Sequence, residues 1–438
     1  MTDPAQNLET YLVGGAVRDQ IMGFEVKDRD WVVVGATAKK MLKLGFKQVG
    51  KNFPVFLHPS TGEEYALARA ERKTAKGYHG FEFDSHCQIT LQQDLQRRDL
   101  TINAMAMDRQ GNLIDPFGGQ RDIKEKIIRH VSDAFKEDPV RVLRVARFAA
   151  RYAGKGYRVA ADTQAMMVDM VDNGEVDALV AERVWQEMHA SLQEKHCAVF
   201  FRELRNCGAL EKILPEIDAL FGVPQTEKYH PEIDTGIHIL MSLDAADRLT
   251  DNPINLFAVL VHDLGKALTP VSELPSHRGH EKRGLKPIKQ LCERLNVPSQ
   301  YRSFALKVCE FHLHCHRIGQ LKATTVMRLL EKFDGFRKPE LIDGFALCCL
   351  ADKQGRSGHE QENHDQMNLL LEYHRAALAV DGGKVANQVR QQANAGNNTD
   401  AKITGAKIKA AIRKQRIAAI AKVIANGKLQ TALRPRLS

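Results

Sequence analysis

Apolar residues recur along the chain with two different periods. Short apolar runs in the N-terminal third predict strands at Tyr11 to Val13, Trp31 to Val34, Tyr65 to Ala68 and Leu113 to Ile114. Gly14 and Gly15 end the first of these runs, and the segment that follows, AVRDQIMG, has helical spacing. From Pro139 onward the apolar spacing is persistently helical. The pattern predicts an α/β head followed by an all-helical body.

Length, cysteine usage and charge narrow the class of protein. A chain of 438 residues exceeds what one hydrophobic core usually holds, so two or more domains are expected. No apolar run is long enough to span a bilayer and the N-terminus lacks a signal-peptide pattern, which predicts a cytoplasmic protein with no membrane partner. The eight Cys form no CxxC pair, so reduced, mostly buried thiols are expected. The net charge of +9 is consistent with a polyanionic partner.

The segment VKDRDWVVV carries two carboxylates where a predicted strand begins. Asp28 and Asp30 are two residues apart, so we expect both on one face, where their oxygens can share divalent metal ions. Nucleotidyl transfer needs such ions to activate a 3′-hydroxyl and to stabilise the pyrophosphate leaving group. A solvated surface turn is the alternative. The preceding turn favours the functional interpretation, because Gly15 lets phosphate approach backbone N–H groups and Arg18 can add a charged contact.

Two arginine-rich segments follow the predicted strands. In RRDLTINAMA, Arg98 either belongs to a charged helix N-terminus or faces a nucleotide while Asn103 orders the site. In EDPVRVLRVARFAARY, Arg141, Arg144 and Arg147 recur every three residues. This spacing places the three guanidinium groups along one side of a predicted helix.

Asp138, which precedes that helix, has two interpretations. It suits the N-cap of a helix whose first residue is Pro139. Alternatively, Asp138 and Arg141 read a base, because cytosine and adenine present an amino donor beside a ring-nitrogen acceptor whereas uracil and guanine present the reverse order. One carboxylate beside one guanidinium would accept C and A, and U or G would leave buried polar groups unpaired. Arg144 and Arg147 would then contact the triphosphate.

Six segments carry a family resemblance, in the order LVGGAVRD, DRD, RRDLTINAMA, DPFGGQRDIKEKIIR, EDPVRVLRVARFAARY and ERVWQEM. Together they resemble the motif set of class II CCA-adding tRNA nucleotidyltransferases over roughly Tyr11 to Met188. With its histidine-rich region, the chain resembles the bacterial multifunctional CCA proteins over nearly its whole length. The resemblance implies a polymerase-β-type head, then helical neck, body and tail. It also implies addition and repair of the 3′-terminal CCA of tRNA from CTP and ATP without a nucleic-acid template.

The resemblance also implies roles for individual residues. It assigns Asp28 and Asp30 to Mg²⁺, Asp138 with Arg141 to the base, and Gly15, Arg18, Arg98, Arg144 and Arg147 to the nucleotide. Glu71 lies in a stretch that resembles the family's flexible loop, and it is assigned as a third catalytic carboxylate. The assigned residues join the predicted head to the first helix of the predicted body.

Histidines are concentrated in the second half of the chain. Eleven of the seventeen His lie in the range 230–374. The metal ligands expected there are His238, His262, Asp263 and Asp352, an order that resembles the HD phosphohydrolase superfamily. Imidazole and carboxylate together suit a divalent transition metal that holds water. The resemblance to multifunctional CCA proteins implies phosphatase, 2′-nucleotidase and 2′,3′-cyclic phosphodiesterase activities that favour Ni²⁺ or another divalent transition metal.

Three further histidines are open to either interpretation. His280 and His312 either extend this metal site or are ordinary core and surface residues, and the ordinary role is favoured for His314. The dipeptide His262–Asp263 by itself would mean little. The prediction depends on its combination with the preceding His and the distant Asp.

These patterns predict five segments. They are a nucleotidyltransferase head at 1–136, a helical neck and body at 137–230, an HD phosphohydrolase domain at 231–380, a polar linker at 381–400 and a basic helical tail at 401–438. The tail contains no acidic residue, and it either binds tRNA phosphates or is the solvated face of a packed helix. A monomer and a homodimer are both compatible with the sequence.

Three other functions share parts of the pattern. A poly(A) polymerase of the same superfamily has the head motifs, but the HD region argues against it. A hydrolase whose head only binds RNA would not need Asp28 and Asp30. An alarmone synthetase-hydrolase joins both chemistries in the opposite order. The sequence therefore predicts a CCA tRNA nucleotidyltransferase with a second, phosphohydrolase site.

Overall fold

The computed structural model describes residues 3–49, 55–73, 81–84, 87–395 and 405–433, without the side chains of 70–73, 81–84, 393–395 and 427–433. The chain divides into two compact units, Met1–Pro215 and Glu216–Ser438. This division falls before the boundary that the sequence pattern placed after residue 230. The predicted head and most of the predicted body belong to the first unit.

Among the described residues, all the strands belong to the first unit. They are β1 (Glu9–Val13), β2 (Asp30–Val34), β3 (Lys47–Val49), β4 (Val55–Leu57), β5 (Glu64–Leu67), β6 (Ala70–Lys73), β7 (Phe81–Asp84), β8 (Ala106–Met107), β9 (Leu113–Ile114), β10 (Ile127–Ile128) and β11 (Arg158–Val159). The helices are α1 (Gly15–Ile21), α2 (Ala38–Lys43), α3 (Leu91–Gln96), α4 (Gly119–Glu125), α5 (Val140–Tyr152), α6 (Ala161–Asp172), α7 (Ala181–Ser191), α8 (Ala198–Asn206) and α9 (Ala209–Ile213). The four predicted strands are confirmed as β1, β2, β5 and β9.

Seven of the strands form one mixed sheet in the order β3-β4-β5-β2-β1-β8-β9. Strand β2 runs antiparallel to β1 and parallel to β5, and this register places Asp30 opposite Glu64. The run WVVV is apolar throughout because both faces of β2 are covered. Val33 packs in a cluster with Phe56, and Val32 packs in a second cluster on the other side. The sheet therefore holds the first residue of β2 at a fixed position.

The structure contradicts one of the two interpretations of the segment after Arg97–Arg98, the charged helix N-terminus. No helix begins there, because α3 ends at Gln96 and only a short 3₁₀ turn, Thr101–Asn103, follows. The apolar residues of this segment, from Leu100 to Ala106, are buried on the path to β8. A fully buried run has no polar face, so its spacing does not distinguish a helix from a buried connection.

The second unit is entirely helical within the described residues. Its helices are α11 (Thr235–Leu249), α12 (Pro253–Val261), α13 (His280–Arg283), α14 (Leu285–Arg294), α15 (Ser299–His316), α16 (Ala323–Lys332), α17 (Glu340–Gln354), α18 (Asp365–Leu378), α19 (Gly382–Ala395) and α20 (Gly405–Leu433), and α10 (Pro215–Asp218) lies at the division. Among the described helices, none combines the length and the hydropathy of a membrane span. Seven of the eight free cysteines are buried, which confirms that prediction.

The linker predicted at 381–400 is wrong over most of its described length, because α19 occupies it. Asp381 caps this helix by accepting hydrogen bonds from the backbone N–H groups of Gly383 and Lys384 at 2.9 and 3.0 Å. Val385 is buried. The segment also contains Ala, Gln, Lys and Arg, which favour helices, and Gly382 and Gly383 lie in the first turn of α19, where they do not interrupt the helix. Polar composition alone misled the prediction.

The basic tail is a packed helix with an exposed basic face. Ile420 is fully buried, Arg413 Nε lies 2.9 Å from Glu331 Oε1 on α16, and the Arg416 guanidinium covers the Phe336 ring at 3.7 Å. These contacts attach α20 to the second unit. Lys407, Lys409, Lys414 and Lys422 remain exposed.

Candidate nucleotidyl-transfer and metal sites

A cavity of 590 Å³ in the first unit gathers most of the predicted nucleotide site. Its wall includes the predicted residues Gly15, Arg18, Asp30, Arg98, Asp138, Arg141 and Arg144. Arg147 and Asp28 are not part of that wall. The Arg147 guanidinium lies over the ring of Phe148, a wall residue, at 4.8 Å. The structure therefore brings together residues that are more than one hundred positions apart in the sequence.

The glycine turn after β1 makes room for an arginine. Gly14 has φ of +68°, and a β-carbon there would lie 2.9 Å from Nη1 of Arg98. Arg18, buried in α1, reaches Asn103 Oδ1 at 2.5 Å and Asp19 Oδ1 at 2.7 Å. Asn103 in turn donates to Asp99 Oδ1 at 3.1 Å. Asn103 thus links the glycine turn to the RRD segment, as the ordering role predicted for it requires.

The carboxylates lie along the start of β2. Asp28 precedes the strand, and with Asp30 and Glu64 it lines a recess of 570 Å³. Partial burial raises the pKa of Asp30, Arg98 opposes this, and the Asp28 charge adds to the increase. Glu64, beside Asp30 in the cavity wall, was not identified from the sequence. Its position directly before the predicted strand Tyr65 to Ala68 was the available signal, because Asp30 has the same position before the predicted strand Trp31 to Val34.

Glu71, the predicted third carboxylate, lies on β6. Strand β6 pairs antiparallel with β7, and Glu71 is opposite Phe83. The side chain of Glu71 lies outside the described part of the structure. Its catalytic role therefore stays a prediction.

Each predicted nucleotide-binding arginine of this region has an acidic partner. Arg98 Nη2 lies 3.2 Å from Asp94, Arg144 Nε lies 2.7 Å from Asp99 and Arg147 Nε lies 2.6 Å from Glu187. Burial raises the pKa of Asp99, but the Arg144 charge and the hydrogen bonds from Asn103 and Arg144 together outweigh burial and lower the pKa to about 2. Asp99 and Glu187 were not identified from the sequence, because ion pairs between distant segments leave no local pattern. Asp94 was not identified either, although its i,i+4 spacing to Arg98 was an available signal.

The predicted base-reading residues both reach the cavity, with different partners. The buried Arg141 donates to the carbonyl oxygens of Ala134 and Arg97 at 2.5 and 2.6 Å. Asp138 accepts a two-pronged ion pair from Arg183, with Nη1–Oδ1 at 2.8 Å and Nη2–Oδ2 at 2.7 Å. Asp138 Oδ1 also accepts the Val140 N–H at 3.1 Å. Asp138 therefore caps α5 and faces the cavity, so its two interpretations are compatible.

A second cavity, of 930 Å³, opens over the histidine cluster of the second unit. The four predicted ligands are buried and adjacent, with His238 Nε2 3.1 Å from Asp352 Oδ1 and His262 Nε2 3.4 Å from Asp263 Oδ2. Asp263 Oδ1 lies 3.1 Å from His280 Nε2 and 3.7 Å from His312 Nε2. Two candidate metal-binding groups, His238/His262/Asp263 and Asp263/His280/His312, therefore share Asp263.

Backbone carbonyls set the tautomers of three of these histidines. Nδ1 of His262, His280 and His312 lies 2.7, 2.7 and 2.8 Å from a carbonyl oxygen three residues earlier. A carbonyl only accepts, so Nδ1 carries the proton and the Nε2 lone pair faces Asp263. His262 Nε2 is buried and has no hydrogen-bond partner among the described residues. Burial lowers the pKa of His262, which favours the neutral form that binds metals.

Several residues around this cluster were not identified from the sequence. His316 Nε2 lies 2.5 Å from Asp352, Lys266 Nζ lies 2.6 Å from Asp263, and Glu232 Oε1 lies 2.9 Å from His238 Nδ1. The i,i+4 spacing of His312 and His316 was an available signal, because it places both on one face of α15. His314 is half-buried beside the Phe311 ring, away from the cluster, as expected.

Comparison with known proteins identifies the family. Residues 10–129 match the Poly A polymerase head domain, and residues 156–221 match the probable RNA and SrmB-binding site of polymerase A. The chain is 54% identical to a multifunctional CCA protein of Teredinibacter turnerae over 89% of this chain and 95% of that protein. It is 56% identical to one of Acinetobacter baumannii over 83% of this chain and 89% of the relative.

A solved structure supports the fold. The Thermotoga maritima CCA-adding enzyme in complex with tRNA superimposes with a TM-score of 0.62 at 20% identity, over 96% of this chain and 92% of that one. This similarity confirms a polymerase-β-type head followed by a mostly helical body. The chain belongs to the family of multifunctional CCA proteins, and it is a nucleotidyltransferase.

Proposed function

We propose that the head cavity adds and repairs the 3′-terminal CCA of tRNA from CTP and ATP without a nucleic-acid template. The observation that carries this proposal is the convergence, in one cavity, of the glycine turn, the carboxylate of Asp30 and the arginines of α5. The free cysteines suit the reducing cytoplasm, which we infer to be the location of the protein.

The triphosphate replaces internal carboxylates as a partner of the arginines. Arg98, Arg144 and Arg147 are held in place by acidic partners, so their positions are set before the nucleotide arrives. Phosphate oxygens take over part of these contacts, and Gly14 and Gly15 let the phosphates approach the backbone. The arginines therefore favour a polyanionic ligand, and their positive charges are balanced by carboxylates when no nucleotide is bound.

Asp28 and Asp30 hold Mg²⁺. When bound, the metal activates the 3′-hydroxyl of tRNA and stabilises charge on the pyrophosphate. Glu64 is placed to act as a third carboxylate, a role also open to Glu71. The fit rests on carboxylate oxygens, the ligands that Mg²⁺ prefers, which come from Asp28 and from the starts of the neighbouring strands β2 and β5. The pKa of Asp30 is raised by partial burial and further by the charge of Asp28.

The decisive test uses tRNA that lacks its 3′ end. With each nucleoside triphosphate supplied separately, and with CTP and ATP together, sequencing of the products should show CCA. Asp28→Ala with Asp30→Ala should abolish extension, and Arg248→Met, at an exposed arginine of α11, should leave it intact. Addition of long A runs from ATP alone would instead indicate a poly(A) polymerase. Extension by the double variant at the wild-type rate would contradict the metal assignment.

The histidine cluster supports a second activity. We propose that His238, His262, Asp263 and Asp352 bind Ni²⁺ or another divalent transition metal and that His280 and His312 extend this to a second ion. The buried, unpartnered His262 Nε2 and the shared Asp263 carry this assignment. A metal held by these residues would activate a water molecule for phosphoester hydrolysis. Lys266 and Arg356, each paired with a ligand carboxylate, fix those carboxylates in the ionised form.

The substrates proposed for this cavity are phosphomonoesters, 2′-nucleotides and 2′,3′-cyclic nucleotides. His262→Ala with Asp263→Ala should abolish Ni²⁺-dependent hydrolysis of 2′,3′-cyclic AMP and keep CCA addition. Asp28→Ala with Asp30→Ala should have the opposite effect, and it serves as the matched control. Loss of both activities in either variant would argue against two separate sites.

A further inference from the structure

Arg183 controls how many hydrogen bonds Asp138 can still accept. A carboxylate offers about four acceptor positions, two on each oxygen. Oδ1 of Asp138 already accepts from Arg183 Nη1 at 2.8 Å and from the Val140 N–H at 3.1 Å, and Oδ2 accepts from Arg183 Nη2 at 2.7 Å. These three donors leave one position, on Oδ2. Both Asp138 and Arg183 line the head cavity.

The number of free acceptor positions on Asp138 matters because the bases differ in how many adjacent N–H groups they offer to it. Adenine and cytosine place one exocyclic N–H beside a ring-nitrogen acceptor, so a single acceptor serves them. Guanine places a ring N–H and an exocyclic N–H side by side. A carboxylate with both oxygens free would accept both of these N–H groups, in the two-pronged geometry that makes such pairs strong. An unconstrained Asp138 would therefore favour guanine.

We propose that Arg183 is a positioning residue for base selection, which holds Asp138 so that only one acceptor faces the base and guanine is excluded. This inference rests on the proposed base-reading role of Asp138. It assigns a function to the arginine of the ERVWQEM segment. The planar guanidinium is essential to it, because a lysine ammonium cannot cover two carboxylate oxygens in fixed geometry.

The test measures single additions to tRNA that ends in CC, with ATP and GTP supplied separately. Arg183→Met should raise the ratio of kcat/KM for GTP to that for ATP by about tenfold or more, the size of one two-pronged contact. Arg183→Lys should raise the same ratio, because the charge remains but the fork is lost. Arg248→Met, at an exposed arginine of α11, should leave the ratio at the wild-type value. On tRNA ending before CC, the UTP to CTP ratio should change less, since uracil offers one ring N–H.

Two outcomes would overturn the inference. The first is a uniform loss with all four nucleotides and an unchanged GTP to ATP ratio, which would give Arg183 a merely structural role. The second is an equal rise of that ratio when Arg183→Met is added to Asp138→Ala, where no carboxylate remains to be freed. Wild-type protein that adds G as readily as A would instead refute base reading by Asp138 itself. Arg183→Lys decides the question if Arg183→Met does not fold.

Discussion

Arg144 Nε and Asp99 Oδ2 form a 2.7 Å ion pair that joins α5 to the RRD segment at the wall of the head cavity. Asp99 is buried, and its other oxygen accepts from Asn103 and from the Leu100 N–H. The pair therefore connects the strand side of the cavity to its helical side. Its loss should change both the stability of the first unit and the position of Arg144.

Asp99→Asn should make the free energy of unfolding depend less on pH between about pH 4 and pH 2. Burial raises the pKa of Asp99, but the Arg144 charge together with the hydrogen bonds from Asn103 and Arg144 outweighs burial, so the folded pKa is about 2 against an ordinary value of 3.8. A carboxyl with a lowered folded pKa stabilises the protein above its unfolded pKa, and this stabilisation is lost as pH falls from about 4 to about 2. The contribution at pH 7 is about 2 kcal/mol.

Urea unfolding at pH 7, 4 and 3 measures this effect. Asp99→Asn should lower the free energy of unfolding at pH 7 and narrow its difference from wild type at pH 3. Asp172→Asn, at an exposed position of the same unit, is the control and should change neither value. Parallel acid profiles for wild type and Asp99→Asn would contradict the prediction.

Gly14→Ala should reduce the rate of nucleotide addition by displacing Arg98, in addition to any loss of stability. The new β-carbon would lie 2.9 Å from Arg98 Nη1, in a backbone conformation with φ of +68°. Gly23→Ala is a matched control, because Gly23 has φ of +73° and nothing within 4 Å of such a β-carbon. Both variants should lose stability through backbone strain, and Gly14→Ala should lose more, because the ψ of −128° at Gly14 lies outside the left-handed region that other residues occasionally adopt.

The activities of these two glycine variants should then separate. Displacement of Arg98 should lower kcat/KM for CTP by about tenfold or more in Gly14→Ala alone. Steady-state kinetics and thermal unfolding of both variants provide the comparison. Equal kinetic losses would show that Arg98 does not need the space that Gly14 leaves.

Glu232→Gln should weaken metal binding in the second unit. Glu232 Oε1 lies 2.9 Å from His238 Nδ1, so this carboxylate orients the ring and increases the basicity of Nε2, which faces Asp352. The loss of such a partner typically costs about 10–100-fold in metal affinity. Calorimetric titration with Ni²⁺ measures this directly. Glu293→Gln, at an exposed glutamate, should bind Ni²⁺ as wild type does, and an unchanged Kd for Glu232→Gln would remove Glu232 from the site.

Local patterns predicted the head well because its chemistry lies in short segments. The glycine turn, the strand that begins at Asp30 and the arginine helix were each recognisable from spacing. The partners of these groups were not recognisable, since Asp99 and Arg183 act across 45 positions to Arg144 and Asp138 respectively. The apolar periodicity also failed to predict secondary structure where a segment has no contrast between an apolar and a polar face. The run after Asp99 is buried on all sides, and α19 is polar over most of its length.

The exposed lysines of α20 should contribute to tRNA affinity. Lys407, Lys414 and Lys422 are seven and eight residues apart and exposed, so they lie on one face of the helix. Arg413 and Arg416, by contrast, are engaged with Glu331 and Phe336 inside the unit. A row of three unengaged ammonium groups would release counterions from RNA phosphates, and its contribution should weaken with salt.

Replacement of these three lysines by alanine should therefore raise the Kd for tRNA and reduce the slope of log Kd against log salt by about two units. Lys282, Lys286 and Lys289 are equally exposed on α13 and α14, and the triple alanine variant at these positions is the charge-matched control. Fluorescence anisotropy with labelled tRNA at several salt concentrations gives both slopes. If the two triple variants shift the slope equally, net charge explains the effect and α20 has no specific role. A change confined to the α20 variant can come only from the face that this helix presents.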